Sequence, residues 1–331
     1  MTGSDAAPVV IVGAGLAGLS CARHLQQAGV DPVVVDRGRR VGGRMAVSSV
    51  HGRAVDTGAS YFTVGEEPFA TVVGEWERRG LARPWTDTFD VVRGTRFEDP
   101  TTGGMRWAAP GGLRTLVEDL ASRVHVRHST VDRVQRSGEG TWSVGDVTAR
   151  AVVLAMPDPQ ARRLLGEDLE AERHRLDVGY DPVLALCAGW TDHAWRDAGA
   201  GDVFEGAFVN DHESLSWIAD DGRRRGDDAP VLVAHSTPSL ASAHLAEPQT
   251  AEPVMLEALR AILDIRSAPS WTRVKRWSYA KPSGRREVDH WLSGDGLGFC
   301  GDSWSSKPRV EAAYSSGVAM ASSLLAAGLL S

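Results

Sequence analysis

Cysteine is scarce in this chain: Cys21, Cys187 and Cys300 are scattered through 331 residues. They are odd in number and form no CxxC pair. A disulfide framework is therefore excluded, and a reducing compartment, the cytoplasm, is expected. Long hydrophobic runs are also missing. The apolar stretch 9–12 is too short for a signal-peptide core, and the polar start, residues 1–8, has no basic n-region. The run 318–330 is interrupted by Ser322, Ser323 and Gly328 and falls short of the roughly 20 residues a membrane helix needs, so it reads as a core helix. An excess of positive charge is absent: the net charge is -7 and the pI near 5.8. That argues against a general nucleic-acid or membrane-surface binder. No GxxxxGK(S/T), HExxH or GxSxG occurs, so phosphate-loop, zinc-protease and nucleophile-elbow chemistries lack support.

What is present is ordinary globular material. Hydrophobic residues make up 42% and charged residues 24%, enough for a buried core and too balanced for a disordered chain. The length fits two domains, or one large domain with an inserted lobe. There is no internal repeat and no low-complexity tract.

Along the chain, an apolar strand over 9–12 meets a glycine turn, then a helix over 16–28 that stops at Gly29. A second strand, 33–35, ends on Asp36. This β-α-β unit places both strands in one parallel sheet through a right-handed crossover. Another apolar strand, 151–155, leaves the sheet at Met156-Pro157. A last strand, 297–300, runs into Gly301-Asp302, followed by a helix over 310–327. Between these lie short alternating runs, such as residues 183–187 and 231–234, and most of the tryptophans, including Trp76, Trp85, Trp107, Trp190, Trp195, Trp217 and Trp271. They suit a second, mostly antiparallel sheet. The expected fold is α/β: a Rossmann-type domain over 1–65, 108–165 and 276–331, interrupted by a substrate domain over 66–107 and 166–275.

Gly13-Ala14-Gly15-Leu16-Ala17-Gly18 matches GxGxxG. Gly13 permits the tight turn, Gly15 lets a pyrophosphate approach the backbone, and Gly18 lets helix and strand pack. The helix N-terminus offers free N–H groups and partial positive charge to the phosphates. Asp36 lies 18 residues past Gly18, where a carboxylate accepts both ribose hydroxyls of an adenosine. The plain alternative is a tight turn in an α/β protein, and the motif alone does not separate NAD from FAD. Further on, Gly42-Gly43-Arg44-Met45 allows a second close backbone approach, with Arg44 available to a phosphate. Residues 56–62, with Gly58, Ala59, Ser60 and Tyr61, form another small-residue turn. A dinucleotide continuing past the pyrophosphate would use such successive contacts. Asp302 sits at the ligand edge of the sheet and could accept hydrogen bonds from a polyol such as ribityl, unless it is a mere N-cap or surface acid. The helix beginning near Val310 would point its positive end at the ligand.

GAGLAG, Asp36, VGGRM, DTGASYF, residues 109–112 (APGG), LAMPDPQ at 154–160, and FCGDSW followed by RVEAAYSSG at 309–317 resemble the renalase-like flavoproteins. These are a branch of the amine-oxidase superfamily with the p-hydroxybenzoate-hydroxylase-type FAD fold. The resemblance spans residues 8–325; the glycine and VGGRM motifs are superfamily-wide, and DTGASYF with PRVEAAYSSG is more specific to the branch. It implies noncovalent FAD, held at the pyrophosphate by Gly13, Gly15 and Gly18 and at the adenosine ribose by Asp36, with Arg37 beside it. It further implies that Val131 touches adenine through its backbone, that Gly43, Arg44 and Met45 follow the pyrophosphate and ribityl, and that Asp302, Arg309 and the Val310 backbone N–H lie at ribityl and flavin. Relatives often carry Glu at the place of Asp36, and Trp304 here could reshape the pocket beside the flavin. Bacterial relatives oxidise the 2- and 6-dihydro isomers of NAD(P). The resemblance thus implies hydride transfer to flavin N5 and reoxidation by O2, giving H2O2 and NAD(P)+. Such a step needs orientation more than an acid or base, and no catalytic residue is assigned. The alternatives are a flavin amine oxidase or other FAD dehydrogenase, and a non-catalytic flavin-binding redox sensor.

The one further GxGxxG match, residues 296–301, overlaps the last strand and opens no helix directly, so a separate NAD(P)H-binding domain of the reductase type is not expected. His125 and His128 could form a metal pair, but a solvated strand is the better reading and no metal is expected. The chain has 11 Trp against 4 Tyr. Trp217, Trp277 and Trp304 are singled out to stack on a planar substrate ring, core filling accounting for most of the others. Arg223, Arg224 and Arg225 could meet substrate phosphates, though a solvated hairpin tip neutralised by nearby aspartates is the plainer reading. A small-molecule substrate and O2 are the expected partners, without nucleic acid or membrane, in a monomer or homodimer.

Overall fold

The computed structural model describes residues 7–199 and 203–330. The polar start expected at 1–8 lies, up to residue 6, outside the described residues.

The first sheet is built on strand Ala7–Val12, which pairs in parallel with Val33–Asp36 on one side and Val147–Leu154 on the other. Beyond these, Val126–His128 joins one edge and Leu297–Phe299 the other, both in parallel. Trp291–Leu292 and Thr141–Val144 add antiparallel strands. Of the parallel strands, those at 9–12, 33–36 and 151–154 were legible as β-branched runs and that at 297–299 as an apolar one. Alternation buries both faces. Val9 and Ile11 pack under Leu16–Gln27, Glu67–Arg78, Arg114–Ala121 and Val310–Ala326, whereas Val10, Val12, Val152 and Leu154 pack with Trp142, Phe299 and Trp304. The C-terminal helix crosses the first helix closely enough for Ser20 Oγ to donate to Tyr314 O at 3.0 Å. Its small residues, Ser316 and Gly317, are buried there. Among the described residues no helix is long and apolar enough to cross a membrane.

The second sheet has the order 271–282, 180–189, 231–236, 215–220, 206–210, 83–93, 96–108, 62–63. It is antiparallel except for the pairing of Gly206–Asn210 with Arg83–Arg93. Strand Trp271–Pro282 continues past residue 275, so the boundary expected at 275/276 falls inside a strand. Helix Glu67–Arg78 packs Phe69, Val73 and Trp76 into the core of the first sheet rather than the second. One face of the second sheet, with Leu184, Leu186, Ile218, Leu232 and Ala234, buries against Met255, Leu259 and Ile262 of helix Glu252–Ile262. Period-two alternation sends the other set to the opposite face, where Cys187, Val231 and Val233 pack with Val50 and Val55 of the hairpin over 47–56. Trp217 is registered opposite His235, His235 opposite Ala185, and Val183 opposite Trp277.

Two expectations are corrected. The stretch around 219–229 is not a solvated tip. It contains helix Asp221–Arg225, in which the Arg224 side chain is 0% exposed. Arg224 donates to Asp221 and to Ser60 O (3.0 Å) and Asp56 O (3.1 Å). Asp221 neutralises Arg224 inside the protein, where a buried charge needs a partner, whereas Asp227 and Asp228 pair with Arg53 and Arg196. Arg225 donates to Pro110 O at 2.6 Å and Arg223 to Glu205 at 2.7 Å, so the trio is structural. Trp304, expected beside the substrate, is 4% exposed in the apolar layer behind the first sheet. Its ring is covered by the Arg286 guanidinium at 4.0 Å and packs near Phe299.

Candidate active site

The glycine turn leaves strand Ala7–Val12 at Gly13, whose φ of +116° is accessible to glycine and costly for other residues. Helix Leu16–Gln27 follows with no side-chain cap, so its first amides are free to meet an anion. Asp36 lies across this turn. Its carboxylate accepts the Ala14 N–H at 2.7 Å and the Gly38 N–H at 2.6 Å. Ser129 N–H donates to Asp36 O at 3.0 Å, which brings the segment leading to Val131 alongside. Arg37 is exposed.

The second glycine pair docks onto the first. Gly42 N–H donates to Ala14 O at 2.9 Å, and Gly43, at φ +53°, approaches Gly15 so closely that an added Cβ would lie 3.2 Å from its Cα. Two backbones with no side chain between them form a cradle for a phosphate chain. Met45 is buried beneath it.

Arg44 reaches the C-terminal segment. Its Nη1 and Nη2 donate to the two carboxylate oxygens of Asp302 at 2.7 and 2.5 Å, a bidentate pair. Burial works against the Arg44 charge, and Asp302 outweighs it, so the guanidinium is held more firmly protonated than usual. Tyr180 lies under the Arg44 guanidinium at 5.4 Å; burial, then the Asp302 charge, push its phenol up. Helix Val310–Ala326 starts at Arg309 without a side-chain cap, leaving the Val310 turn open. Arg309 pairs with Glu311, whose carboxylate accepts the Gly65 and Glu66 N–H groups at 2.7 Å each.

The turn over 57–61 closes the site. Ala59 N–H donates to Arg44 O at 2.9 Å, and Trp277 Nε1–H donates to Thr57 O at 2.6 Å. Trp277 is thus fastened over Gly58, with Cζ2 3.2 Å from where a Gly58 Cβ would sit. Tyr61 meets Trp217 at 5.7 Å and Phe89 at 5.4 Å between ring centroids. Burial raises the Tyr61 phenol, with Arg106 opposing.

On this aromatic roof three buried polar atoms have no partner among the described residues: Trp217 Nε1, His235 Nε2 and Ser60 Oγ. Burial, then the Lys281 and Arg224 charges, lower His235 to about 3, so its imidazole is neutral. Buried polar atoms without partners are costly, and these three mark where a ligand's polar group is expected. The sequence reading missed His235 and Tyr180. The register of 231–236 carried the signal for His235, because it shares a face with Val231 and Val233, directly opposite Trp217. His125 and His128, by contrast, lie at the edge strand: His125 O accepts from Val34 N–H, and His128 Nδ1 sits 2.7 Å from Gly38 O. No group of metal-ligating side chains occurs among the described residues.

The paired glycine turns, the uncapped helix and the acid at the end of the second strand fit a dinucleotide that extends towards Asp302. Comparison with known proteins agrees. Residues 11–75 match the NAD(P)-binding Rossmann-like domain, and residues 89–325 match the family of flavin containing amine oxidoreductases. The chain belongs to that family. Membership gives the class, a flavoprotein oxidoreductase, and its cofactor, FAD.

Among curated relatives, polyamine oxidase 1 of Oryza sativa subsp. japonica is 41% identical over 91 residues, 24% of this chain and 18% of that protein. A flavin-containing amine oxidase of Oncorhynchus mykiss is 39% identical over 62 residues, 18% of this chain and 12% of that protein. The matches therefore span under a fifth of those relatives. Similar solved structures include a cyclohexylamine oxidase from Brevibacterium oxydans, with TM-score 0.75, 15% identity, and 97% of this chain and 99% of that one covered. A putrescine oxidase variant gives TM-score 0.74 and 16% identity over 96% and 99%. At that identity the likeness is one of fold.

Proposed function

We propose that the protein oxidises isomeric dihydronicotinamides, the 2- and 6-dihydro forms of NAD(P), with O2 as acceptor. The observation that carries this reading is the roof: Trp217 Nε1 and His235 Nε2, unpartnered, on directly opposed residues of adjacent strands. A carboxamide has both a carbonyl to accept the Trp217 N–H and an amide N–H to meet a neutral imidazole nitrogen. Tyr61, Trp217 and Trp277 supply flat apolar surface for the dihydropyridine ring. None of these roof residues is a carboxylate, which a cationic amine would favour.

FAD, held by Gly13–Gly18, Asp36, Gly43–Met45, Val131 and the Asp302–Val310 segment, supplies the two-electron acceptor. The substrate C–H leaves as hydride, and with one proton and O2 the products are NAD(P)+ and H2O2. The residues of this chain hold the ring and exclude water, which is what such a transfer requires. The three unpaired, buried cysteines fit a cytoplasmic setting.

A second reading, oxidation of amines, is favoured by the names of the relatives. Anaerobic mixing of the holoprotein separates the two. Rapid bleaching of the flavin by 2- and 6-dihydro-NAD(P) supports the first reading. Bleaching by amines alone replaces it with the second, and bleaching by neither leaves a flavin-binding protein without these activities.

A further inference from the structure

A cleft of about 310 Å³ opens on the outer side of helix Asp158–Leu164, lined by Arg162, Arg163, Arg173, Asp177 and Val178. Three arginines face one acid, and that acid is already engaged: Asp177 accepts from Arg286 at 2.8 Å. Arg162 and Arg173 have no ion pair or side-chain hydrogen bond among the described residues. Elsewhere arginines are consumed by partners, as Arg53, Arg136, Arg224 and Arg286 are. Like charges gathered in one concavity repel, and such an arrangement favours a polyanion.

A chain of side-chain contacts runs from the cleft towards the residues proposed to hold the flavin. Arg163 Nη2 donates to the Tyr279 hydroxyl at 2.6 Å. The Tyr279 ring stands edge-on to Tyr180 at 6.4 Å, and Tyr180 lies beneath Arg44, the partner of Asp302. One pair of tyrosines therefore separates the arginines from the residues placed at the ribityl chain.

We propose that Arg162, Arg163 and Arg173 bind the phosphates of the substrate dinucleotide, anchoring its adenosine-diphosphate half outside the flavin pocket while the nicotinamide enters beneath Trp217 and His235. Guanidinium groups match phosphate oxygens in charge and in geometry. This rests on the reading of the substrate as a dinucleotide, and it gives the phosphate role to these arginines instead of the structural trio 223–225.

The test uses the FAD-loaded protein and two ligands. Isothermal titration with ADP-ribose, which carries the phosphates and no reducible ring, should show binding that weakens with added salt. It should fall at least tenfold in the double variant R162A/R173A and be largely restored in R162K/R173K. With reacting substrates, the ratio of KM for the dihydronicotinamide dinucleotide to KM for the phosphate-free dihydronicotinamide riboside should rise about tenfold in the alanine variant. Equal ADP-ribose affinity in wild type and variant, or no ADP-ribose binding by the wild type, overturns the proposal. If ADP-ribose binds through the arginines but no dihydronicotinamide bleaches the flavin, the phosphate site stands and the proposed oxidation falls.

Discussion

Arg44 and Asp302 are 258 residues apart in sequence and share two hydrogen bonds of 2.7 and 2.5 Å. This pair joins the second glycine turn to the last strand of the sheet, so distant segments of the chain meet at the residues proposed to hold the ribityl chain. Removing one member of such a pair strands the other charge. Asp302→Ala should weaken FAD binding tenfold or more, read as loss of visible absorbance on dialysis. The double variant R44M/D302A should recover part of the folding stability lost by D302A, since no charge is then stranded. Full flavin occupancy in D302A would remove Asp302 from the ribityl site.

Gly43 and Gly15 touch backbone to backbone. Gly43→Val puts a branched side chain at positive φ and wedges the two turns apart. The expected product is a folded but colourless protein, with far-UV circular dichroism close to wild type and no flavin after soaking with FAD. A yellow variant would show that the turns need not meet.

His235 makes stability depend on pH. Its folded pKa, about 3, lies below the ordinary value of 6.5, so the unfolded chain takes up the proton first as pH falls. The contribution is present above 6.5 and is lost progressively towards 3. At pH 5 the loss amounts to about 2 kcal/mol. His235→Gln should therefore lose less stability than wild type between pH 7 and pH 5, measured by urea denaturation at each pH. Equal losses would mean that His235 is protonated freely in the folded protein.

Much of the cofactor half was legible because its signals are local. The strands at 9–12, 33–36 and 297–299 are β-branched or apolar runs that end at glycine or acid, and the parallel pairing of the first two follows from the crossover rule. The second sheet was legible as a class and not in its details. Whether His235 faces ligand or core depends on its register with Trp217, a pairing between residues far apart in sequence. Arg224 failed for a related reason. A segment reading DDGRRRGDD looks solvated, and only the fold shows that the carbonyls of Asp56 and Ser60 converge on Arg224 while Arg53 pairs with Asp221. Trp304 was misplaced because a tryptophan beside a ligand-edge aspartate has two sides to choose from, and Phe299 and Arg286 decide it.

Burial penalises Asp221, yet Arg224 and Arg53 hold its carboxyl below the usual range, while burial raises the neighbouring Asp56. Arg224→Met leaves Asp221 without its fully buried partner. The expected cost is about 3–5 kcal/mol in chemical denaturation. Asp221→Asn in the same background should restore part of it. A change under about 1 kcal/mol in R224M would show that water reaches Asp221.

The same arginine constrains how a substrate gets in. Arg224 belongs to the second sheet's helix, and the carbonyls it holds belong to the turn that carries Ser60 and Tyr61. Swinging the second sheet away from that turn like a clamshell would tear a fully dehydrated cation from its hydrogen bonds to Ser60 O and Asp56 O. The reaction chamber is thus riveted shut along that side. Access is therefore expected to come from movements of individual side chains instead of wholesale breathing of the lobes.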